Sequence, residues 1–321
     1  MIPTLFIVSL MIFFMVRFIP GDIVDARVAQ LRQTGVTIED IEEYRAALEK
    51  ELGLDVPVLT QYGRWLGVWP GEDGSFSGIF QGDLGNSFLR KTPVIKDIAA
   101  RWPVTLELGF LALIVAQLIA LPIGIYSALR QDTWGDYIGR SFAILCIAVP
   151  GFWLGTLVIV FPSIWWGYTP PIILIRFTED PIGNLQMFIV PAIVLGMAMS
   201  GITMRMTRTM MLEVLRQDYI RTAWAKGLRE RVVILRHALK NALIPVITII
   251  GFQVGIMIGG AVIIEQIFCL PGMGRLLIDA TLGRDYPVVS GIMLILGFGM
   301  VLINLMVDLT YAYLDPRVHY K

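Results

Sequence analysis

Residues 213–245 read EVLRQDYIRTAWAKGLRERVVILRHALKNALIP and form the only long polar stretch in the second half of the chain. Apolar runs flank this stretch on both sides. Between Arg205 and Lys240, nine Lys and Arg residues stand against three acidic residues. Loops that remain in the cytoplasm collect Lys and Arg, so the charge predicts that this stretch lies on the inner side of a membrane.

The spacing within the stretch predicts two helices joined by a sharp turn. Tyr219, Ala223 and Gly227 stand four residues apart and would share one face of a helix. Two of the three are small, and a small-residue face lets another surface approach the backbone closely. Gly227 is also a candidate helix stop before a second helical run over 229–242. Spacing alone leaves two interpretations open, a docking surface for a partner protein and a basic loop resting on lipid head groups.

Three short sequences in this stretch resemble a known motif. They are DYIRTA at 218–223, AKGL at 225–228 and RHALKNALIP at 236–245. Together they are similar to the EAA loop of ABC importer permeases, above all in the dipeptide, oligopeptide and nickel branch. Two departures from the general motif, RTA in place of EAA at 221–223 and Leu-Lys in place of Leu-Pro at 239–240, are usual in that branch. Segments 52–55, 82–88, 265–276 and 313–317 resemble the same family, so the likeness covers nearly the whole chain.

The resemblance implies that the loop contains the coupling helix, which docks in a groove of an ATPase subunit. It also implies a heterodimer with a second, homologous permease subunit, two ATP-binding subunits that bind ATP and Mg, and an extracytoplasmic solute-binding protein. This chain itself would carry no cofactor. The residues assigned to ATPase coupling are Tyr219, Ile220, Arg221, Thr222, Ala223, Lys226, Gly227 and Leu228.

The composition is that of an integral membrane protein, with the lipid bilayer as its surroundings. Apolar residues make up 56% and charged residues 16% of the chain, and the mean hydropathy is +0.70. Typical soluble domains have about 45–50% and about 25%. The formal net charge of zero says little about partners, and no nucleic-acid partner is expected.

Six regions are apolar over about the 20 residues that a transmembrane helix needs. The predicted fold is therefore all-α, a polytopic membrane protein with six transmembrane helices, and the resemblance implies the type I fold of ABC importer permeases. With the basic loop inside, both termini are expected in the cytoplasm of a cell whose inner (plasma) membrane holds the protein. The six regions are 2–19, 104–129, 138–166, 187–206, 242–267 and 288–310.

The predicted organisation has four parts. A retained first transmembrane helix covers 1–19, since no small-residue cleavage site follows it. An external (periplasmic) region covers 20–103. The permease core of five transmembrane helices covers 104–312 and includes the cytoplasmic coupling loop 207–241, and 313–321 is a cytoplasmic tail.

The external region contains a predicted amphipathic helix. A start resembling a capping box stands at 37–40, and Gly53 ends a run of apolar residues at helical spacing that includes Ile38, Ile41, Leu48 and Leu52. Arg45 and Glu49 are expected to pair one turn apart. Further on, 67–81 looks longer than the family's usual connection and is expected to be a surface loop anchored by Trp69, Phe76 and Phe80.

The third apolar region is too long for one straight helix, since no charge occurs from Ser141 to Ile175. We expect a kinked span that ends near Trp166, followed by an apolar external loop at the membrane interface. The residues expected to break the helix are Pro150, Pro162, Pro170 and Pro171.

Small and uncharged polar residues in the spans carry two further predictions. Gly251, Gly255 and Gly259 recur every four residues and predict a close-packing face for another helix. Scattered amides and hydroxyls are the candidates for the translocation path, and they are Gln117, Thr248, Gln253 and Asn304. The second permease remains an alternative carrier of any charged selective site.

Other function classes receive less support. The chain lacks a G-x-x-x-x-G-K-[ST] phosphate loop, so it is not expected to hydrolyse ATP or to be an enzyme. The two cysteines and two histidines show no metal-ligand spacing. A membrane-embedded hydrolase or a proton-driven transporter would need ionisable residues deep in the spans, whereas Glu107, Glu265 and Asp308 lie near span ends. The leading prediction is the permease subunit of an ABC importer, which forms the path for peptides or similar small solutes.

Overall fold

The structure, a computed structural model, describes residues 2–17, 24, 28, 38–51, 53–71, 74–169, 171 and 173–314. Within these residues the regular elements are helical, apart from one isolated antiparallel bridge between Asn86 and Pro93. The all-α prediction is confirmed. The helices are α1 (Ile2–Arg17), α2 (Ile38–Glu51), α3 (Val58–Leu66), α4 (Val94–Leu129), α5 (Trp134–Ala148), α6 (Gly151–Trp166), α7 (Pro181–Leu215), α8 (Asp218–Ala225), α9 (Leu239–Ile267), α10 (Met273–Leu282) and α11 (Tyr286–Leu314).

Three shorter elements complete the described chain. Ile79–Gln81 is a single 3-10 turn. A helical turn at Glu230–Val232 and a π-helical turn at Val233–Ala238 lead directly into α9. The second helical run after the basic turn is therefore longer than the predicted 229–242, because it continues through Pro245 to Ile267 without a break.

Four helices among the described residues are long and apolar enough to cross a membrane. They are α4, α7, α11 and the continuous helix that contains α9. The pair α5 and α6 counts as a fifth if it forms one span, and the apolar part of α1, Pro3–Met15, is shorter. Each of the six predicted spans thus falls on one or two apolar helices. The count of six membrane crossings stays a prediction. Residues 18 and 19 of the first predicted span and the tail from 315 onward lie outside the described residues.

The third apolar region differs from the kinked helix expected over 138–166. It forms two helices that meet at an angle of 93°. Val149 has an extended backbone (φ −80°, ψ 119°) directly before Pro150, the conformation that a following proline favours. Pro162, by contrast, lies inside α6, which ends at Trp166. Pro170 lies outside the described residues.

The chain divides into two compact units, and the first comprises 1–102 with 276–301. In it, α2 buries Ile41 against Val24 and Val28. The predicted pair is present, with 2.9 Å between Arg45 Nε and Glu49 Oε1, and Gly53 follows α2 with a φ of +64°. The amphipathic helix is confirmed, although Thr37 and Leu52 lie outside the described residues.

The second unit comprises 103–275 with 302–321. Its core is built around α7, where the most apolar stretch is 67% buried. Two glycines let neighbouring helices approach the α7 backbone: a Cβ at Gly196 would lie 2.6 Å from the carbonyl oxygen of Ala112, and one at Gly201 would lie 2.7 Å from that of Ala143. The polar ends of α4, α7 and α9 in this unit surround α8.

Candidate coupling surface and path residues

The helix α8 is short and ends in a sharp turn. It begins at Asp218, ends at Ala225, and is followed by Gly227 with a φ of +74°. Glycine adopts this left-handed conformation without the steric cost that a β-branched side chain would bring. The structure therefore confirms the predicted order of helix, glycine turn and second helix.

One side of α8 is buried in the chain's own core. Ile220 is 0% and Ala223 is 7% exposed, and both join a cluster with Met211 of α7 and with Val233 and Ala238 of the following turns. The prediction that Tyr219, Ala223 and Gly227 share one exposed face is therefore wrong. The physical reason is that α8 ends before Gly227 and uses its apolar side to pack on α7.

The rest of the α8 surface is exposed, including the two aromatic residues that flank the buried side. Tyr219 and Trp224 are each 44% exposed, and Leu228 is 37% exposed. Trp224 was not among the predicted coupling residues, although a large aromatic residue in a basic loop was a visible signal. The remaining exposed candidates are Arg221, Thr222, Lys226 and Gly227.

A hydrogen bond fixes the exposed side of α8 to the next helix. The side-chain amide of Asn241 donates to the hydroxyl of Tyr219 at 2.8 Å and to the carbonyl of His237 at 3.2 Å. Tyr219 is therefore oriented by α9 while much of its ring remains open. A partner that bound Tyr219 would therefore act on α8 directly and on α9 through this hydrogen bond.

The surface around α8 is positively charged. Arg221 lies 3.3 Å from Asp218, with both side chains largely exposed, so this ion pair contributes little. In the described part of the chain, none of five other exposed cations forms an ion pair. Such a surface complements an acidic protein groove and also anionic head groups, so charge alone leaves both interpretations open. The five cations are Lys226, Arg229, Arg231, Arg236 and Lys240.

A buried ion pair, missed in the sequence, connects α5 to α7 in the same unit. Arg208 Nε and Nη2 each lie 2.7 Å from an oxygen of Asp136, whose side chain is 0% exposed. The Asp132 backbone N–H also donates to this carboxylate, at 3.1 Å. The pair therefore fixes the start of α5 beside the polar end of α7, from which the chain enters α8.

The four predicted path residues lie in different settings. Gln253 is 2% exposed and donates to the Met199 carbonyl at 2.8 Å and to the Thr203 hydroxyl at 3.1 Å. It joins α9 to α7 and does not line an open space in this chain. The hydroxyl of Thr248 donates to the Ile244 carbonyl of its own helix at 3.4 Å.

The other two path candidates differ in burial. Both side-chain amide atoms of Gln117 are buried, and no described residue gives either of them a hydrogen-bond partner. Asn304 is exposed on α11. The structure does not bring the four residues together by hydrogen bonds, so their role in a path stays a prediction.

The predicted glycine face of α9 is divided. A Cβ at Gly251 would overlap Val307 of α11, so Gly251 packs within this chain. Gly255 is buried, whereas Gly259 is exposed and a Cβ there would meet no atom within 4 Å. Only Gly259 among the three remains open to another subunit.

Glu265, at the end of α9, accepts hydrogen bonds at the start of α10. Its carboxylate receives the Thr105 hydroxyl at 2.6 Å and the backbone N–H groups of Gly274 at 2.7 Å and Arg275 at 3.1 Å. The side chain is 0% exposed, and this carboxylate stabilises a helix start. Within the described residues, no group of three or more His, Cys, Asp or Glu side chains is placed to hold a metal ion.

Comparisons with known proteins agree with this architecture. Residues 120–320 match the family described as the binding-protein-dependent transport system inner membrane component, and residues 1–109 match the N-terminal part of such components. Two solved structures cover 69% and 68% of this chain at 14% identity: the MetNI methionine ABC transporter, with 97% of that chain covered and a TM-score of 0.56, and an amino acid ABC transporter with histidines, with 94% and 0.54. They are similar in fold.

Curated relatives match over nearly the whole chain. A Brucella suis biovar 1 protein, provisionally named a peptide transport system permease protein, is 42% identical over 99% of this chain and 96% of its own length. The dipeptide transport system permease protein DppB of Escherichia coli K12 is 38% identical, with 100% and 96% covered. The glutathione transport system permease protein GsiC of Pectobacterium atrosepticum is 37% identical, with the same shares covered.

These matches define the class of protein. The chain belongs to the family of binding-protein-dependent transport system inner membrane components. It is a permease subunit of an ABC importer, which implies ATP-binding and substrate-binding partners.

Proposed function

We propose that this permease carries peptides or similar small solutes and that α8 couples their passage to ATP hydrolysis in partner subunits. The relatives named for peptide, dipeptide and glutathione transport support the solute class. The observation that carries the coupling role is the placement of α8. Ile220 and Ala223 anchor it in the core, while Tyr219 and Trp224, which flank this buried side, are each 44% exposed.

The proposed assembly pairs this chain with a second, homologous permease, two ATPase subunits and an extracytoplasmic solute-binding protein. ATP and Mg bind to the ATPase subunits. The chain has its termini and α8 in the cytoplasm and 20–103 outside, because nine basic residues against three acidic ones surround α8. The organisation into 1–19, 20–103, 104–312 with its coupling loop 207–241, and 313–321 follows from this orientation.

Site-specific photo-crosslinking tests whether α8 docks on a protein or on lipid. A photoreactive amino acid at position 224 should crosslink to an ATPase subunit in the assembled complex. The matched control is position 131, which is exposed in the connection between α4 and α5 and should react weakly. Adducts with lipid alone at position 224 would contradict the docking role.

Labelling of a single cysteine tests the orientation. In a chain without Cys146 and Cys269, Lys226→Cys should react with an impermeant thiol reagent only when the membrane is opened. Ala46→Cys, on the exposed side of α2, is the control that should react from outside. Labelling of Lys226→Cys from outside in intact cells would overturn the topology.

A further inference from the structure

The loop from Gly67 to Gly82 exposes aromatic side chains that the permease function does not explain. Trp69 is 56%, Phe76 56% and Phe80 70% exposed. Leu59, on the neighbouring helix α3, is 76% exposed. We call Gly67–Gly82 the aromatic loop; its residues 72 and 73 lie outside the described residues. Adjacent exposed apolar side chains of this size mark a surface that another apolar phase covers.

The aromatic loop is closed on itself at its base. The side-chain amide of Gln81 donates to the Gly67 carbonyl at 3.1 Å. A Cβ at Gly78 would lie only 2.6 Å from the Cα of Gly67, so the two ends of the loop touch through their backbones. The backbone N–H groups of Val68 and Trp69 both donate to the Gly63 carbonyl, at 2.9 and 3.1 Å. The loop therefore holds its aromatic side chains outward from a fixed base on α3.

The helix α3 lies against the middle of α1. The hydroxyls of Ser9 and Tyr62 are 2.9 Å apart. The ring of Phe13 lies 5.0 Å from the ring of Tyr62 and 5.6 Å from that of Trp65, measured between centroids. These contacts fall in the centre and second half of α1, not at its end.

The remaining sides of α1 show that this helix faces an apolar medium. Val8 and Ile12 contact Gly297 of α11, since a Cβ there would lie 3.0 Å and 3.9 Å from their side chains. The rest of the helix surface exposes large apolar side chains. They are Phe6, Ile7, Leu10, Met11 and Met15. Such a surface favours lipid as its surroundings, and a lipid-covered α1 places its contact with α3 at the depth of the bilayer or its boundary.

The helix α3 also carries an arginine next to these aromatic residues. The side chain of Arg64 is partly exposed, and its Nε atom is buried without a hydrogen-bond partner among the described residues. A guanidinium binds phosphate oxygens well, and Trp side chains concentrate at the level of the lipid head groups. The arginine and the aromatic residues thus favour the same environment.

We propose that α3 and the aromatic loop anchor the external region in the outer leaflet of the bilayer. Leu59, Phe76 and Phe80 lie among the upper acyl chains, and Trp69 and the exposed part of the Arg64 guanidinium lie at the level of the lipid phosphates. The proposal rests on the orientation given under the proposed function. The alternative occupant of this surface is the solute-binding protein.

Fluorescence quenching tests the anchor in the assembled complex in lipid nanodiscs. A bimane probe on Phe80→Cys, in a chain without Cys146 and Cys269, should be quenched by phosphatidylcholine that carries a nitroxide high on its acyl chain. Quenching should be several-fold stronger than for Ala46→Cys on α2, which is exposed in the same external region. Phe76→Cys gives an independent second probe and should behave like Phe80→Cys.

Three outcomes would overturn the anchor. They are quenching of both loop probes by aqueous iodide to the level of Ala46→Cys, the absence of lipid quenching at both positions, and a response to added solute-binding protein without lipid quenching. The measurement requires neither ATP hydrolysis nor transport. A failed anchor would therefore leave the permease function standing, and failed coupling would leave the lipid contact measurable.

Discussion

Asn241 of α9 donates a 2.8 Å hydrogen bond to the hydroxyl of Tyr219 in α8, a residue 22 positions earlier in the chain. The bond joins the candidate coupling helix to a helix that continues into the membrane-spanning part of the chain. Because both residues are exposed, the bond contributes only about 0.5–1.5 kcal/mol to stability. Its larger effect is on the orientation of α8, because the bond restrains how α8 moves relative to α9.

Tyr219→Phe should weaken coupling without unfolding the subunit. The substitution keeps the ring and removes only the acceptor for Asn241. We expect fewer solutes transported per ATP hydrolysed in proteoliposomes, with unchanged assembly on size-exclusion chromatography. Thr209→Ala, which removes an exposed hydroxyl bonded within α7, is the matched control. An unchanged ratio of transport to hydrolysis in Tyr219→Phe would show that this bond does not serve coupling.

Substitutions at Gly227 can separate the effect of backbone conformation on stability from an effect on docking of the ATPase. Its φ is +74°, and a Cβ there would meet no atom within 4 Å. Asn tolerates the left-handed conformation, whereas a β-branched residue loses about 1–2 kcal/mol there. Gly227→Asn should therefore keep the melting temperature of the complex, and Gly227→Val should lower it.

The same position tests the approach of the ATPase. Gly227→Trp should reduce transport per ATP beyond the loss in Gly227→Val, because a Cβ there meets no atom within 4 Å and the larger side chain would collide with a docked partner. Transport assays of the three variants at matched protein levels decide this. Equal coupling in Gly227→Trp and Gly227→Val would mean that no partner approaches the turn.

From the sequence, the helices and the turn around α8 could be predicted better than which side of α8 is buried. The glycine stop and the basic helix pair follow from local backbone preferences, and the structure has both. Ala223 shows the limit, since a spacing of four residues identifies a face but not what covers it. In the structure that face packs on Met211, which stands in another helix. Ala223→Trp would therefore disrupt the chain's own core and does not report on docking.

Two long-range features could not be read from the sequence. The 93° angle between α5 and α6 depends on which of several prolines breaks the helix, and neighbouring helices decide that. The pair of Asp136 and Arg208 joins residues 72 positions apart. In the sequence, each of the two residues is simply a charge near the end of an apolar run. Nothing there indicates that they pair.

Arg208→Gln should destabilise the subunit strongly. Asp136 would keep its charge at 0% exposure without its bidentate partner, and breaking a buried pair in this way costs about 3–5 kcal/mol. We expect a lower melting temperature and a reduced amount of complex in the membrane. Arg221→Ala is the control, because its pair with Asp218 is largely exposed and contributes only about 0–1 kcal/mol. Equal melting temperatures for both variants would show that the buried pair does not hold α5 to α7.

The variants Gln117→Leu and Gln253→Leu separate a role in the stability of the subunit from a role in solute transport. Gln253→Leu removes hydrogen bonds to Met199 and Thr203, so its melting temperature should fall by an amount that reflects about 1–3 kcal/mol. Gln117→Leu removes an amide without a partner in the described chain, so its stability should stay level or rise. Loss of stability in Gln117→Leu would mean that another subunit satisfies this amide.

Transport by Gln117→Leu then tests whether this subunit supplies a passage that does not choose among solutes. If the amide contacts solute, rates should fall for several peptides together while their ratios stay nearly constant, because binding in a passage must be weak enough for release. Asn304→Ala, at the candidate that is exposed on α11, should give the same pattern. The measurement is uptake of three solutes into proteoliposomes with the same solute-binding protein. A marked change in the preference among solutes would show that this chain selects, and unchanged rates in both variants would remove these residues from the path.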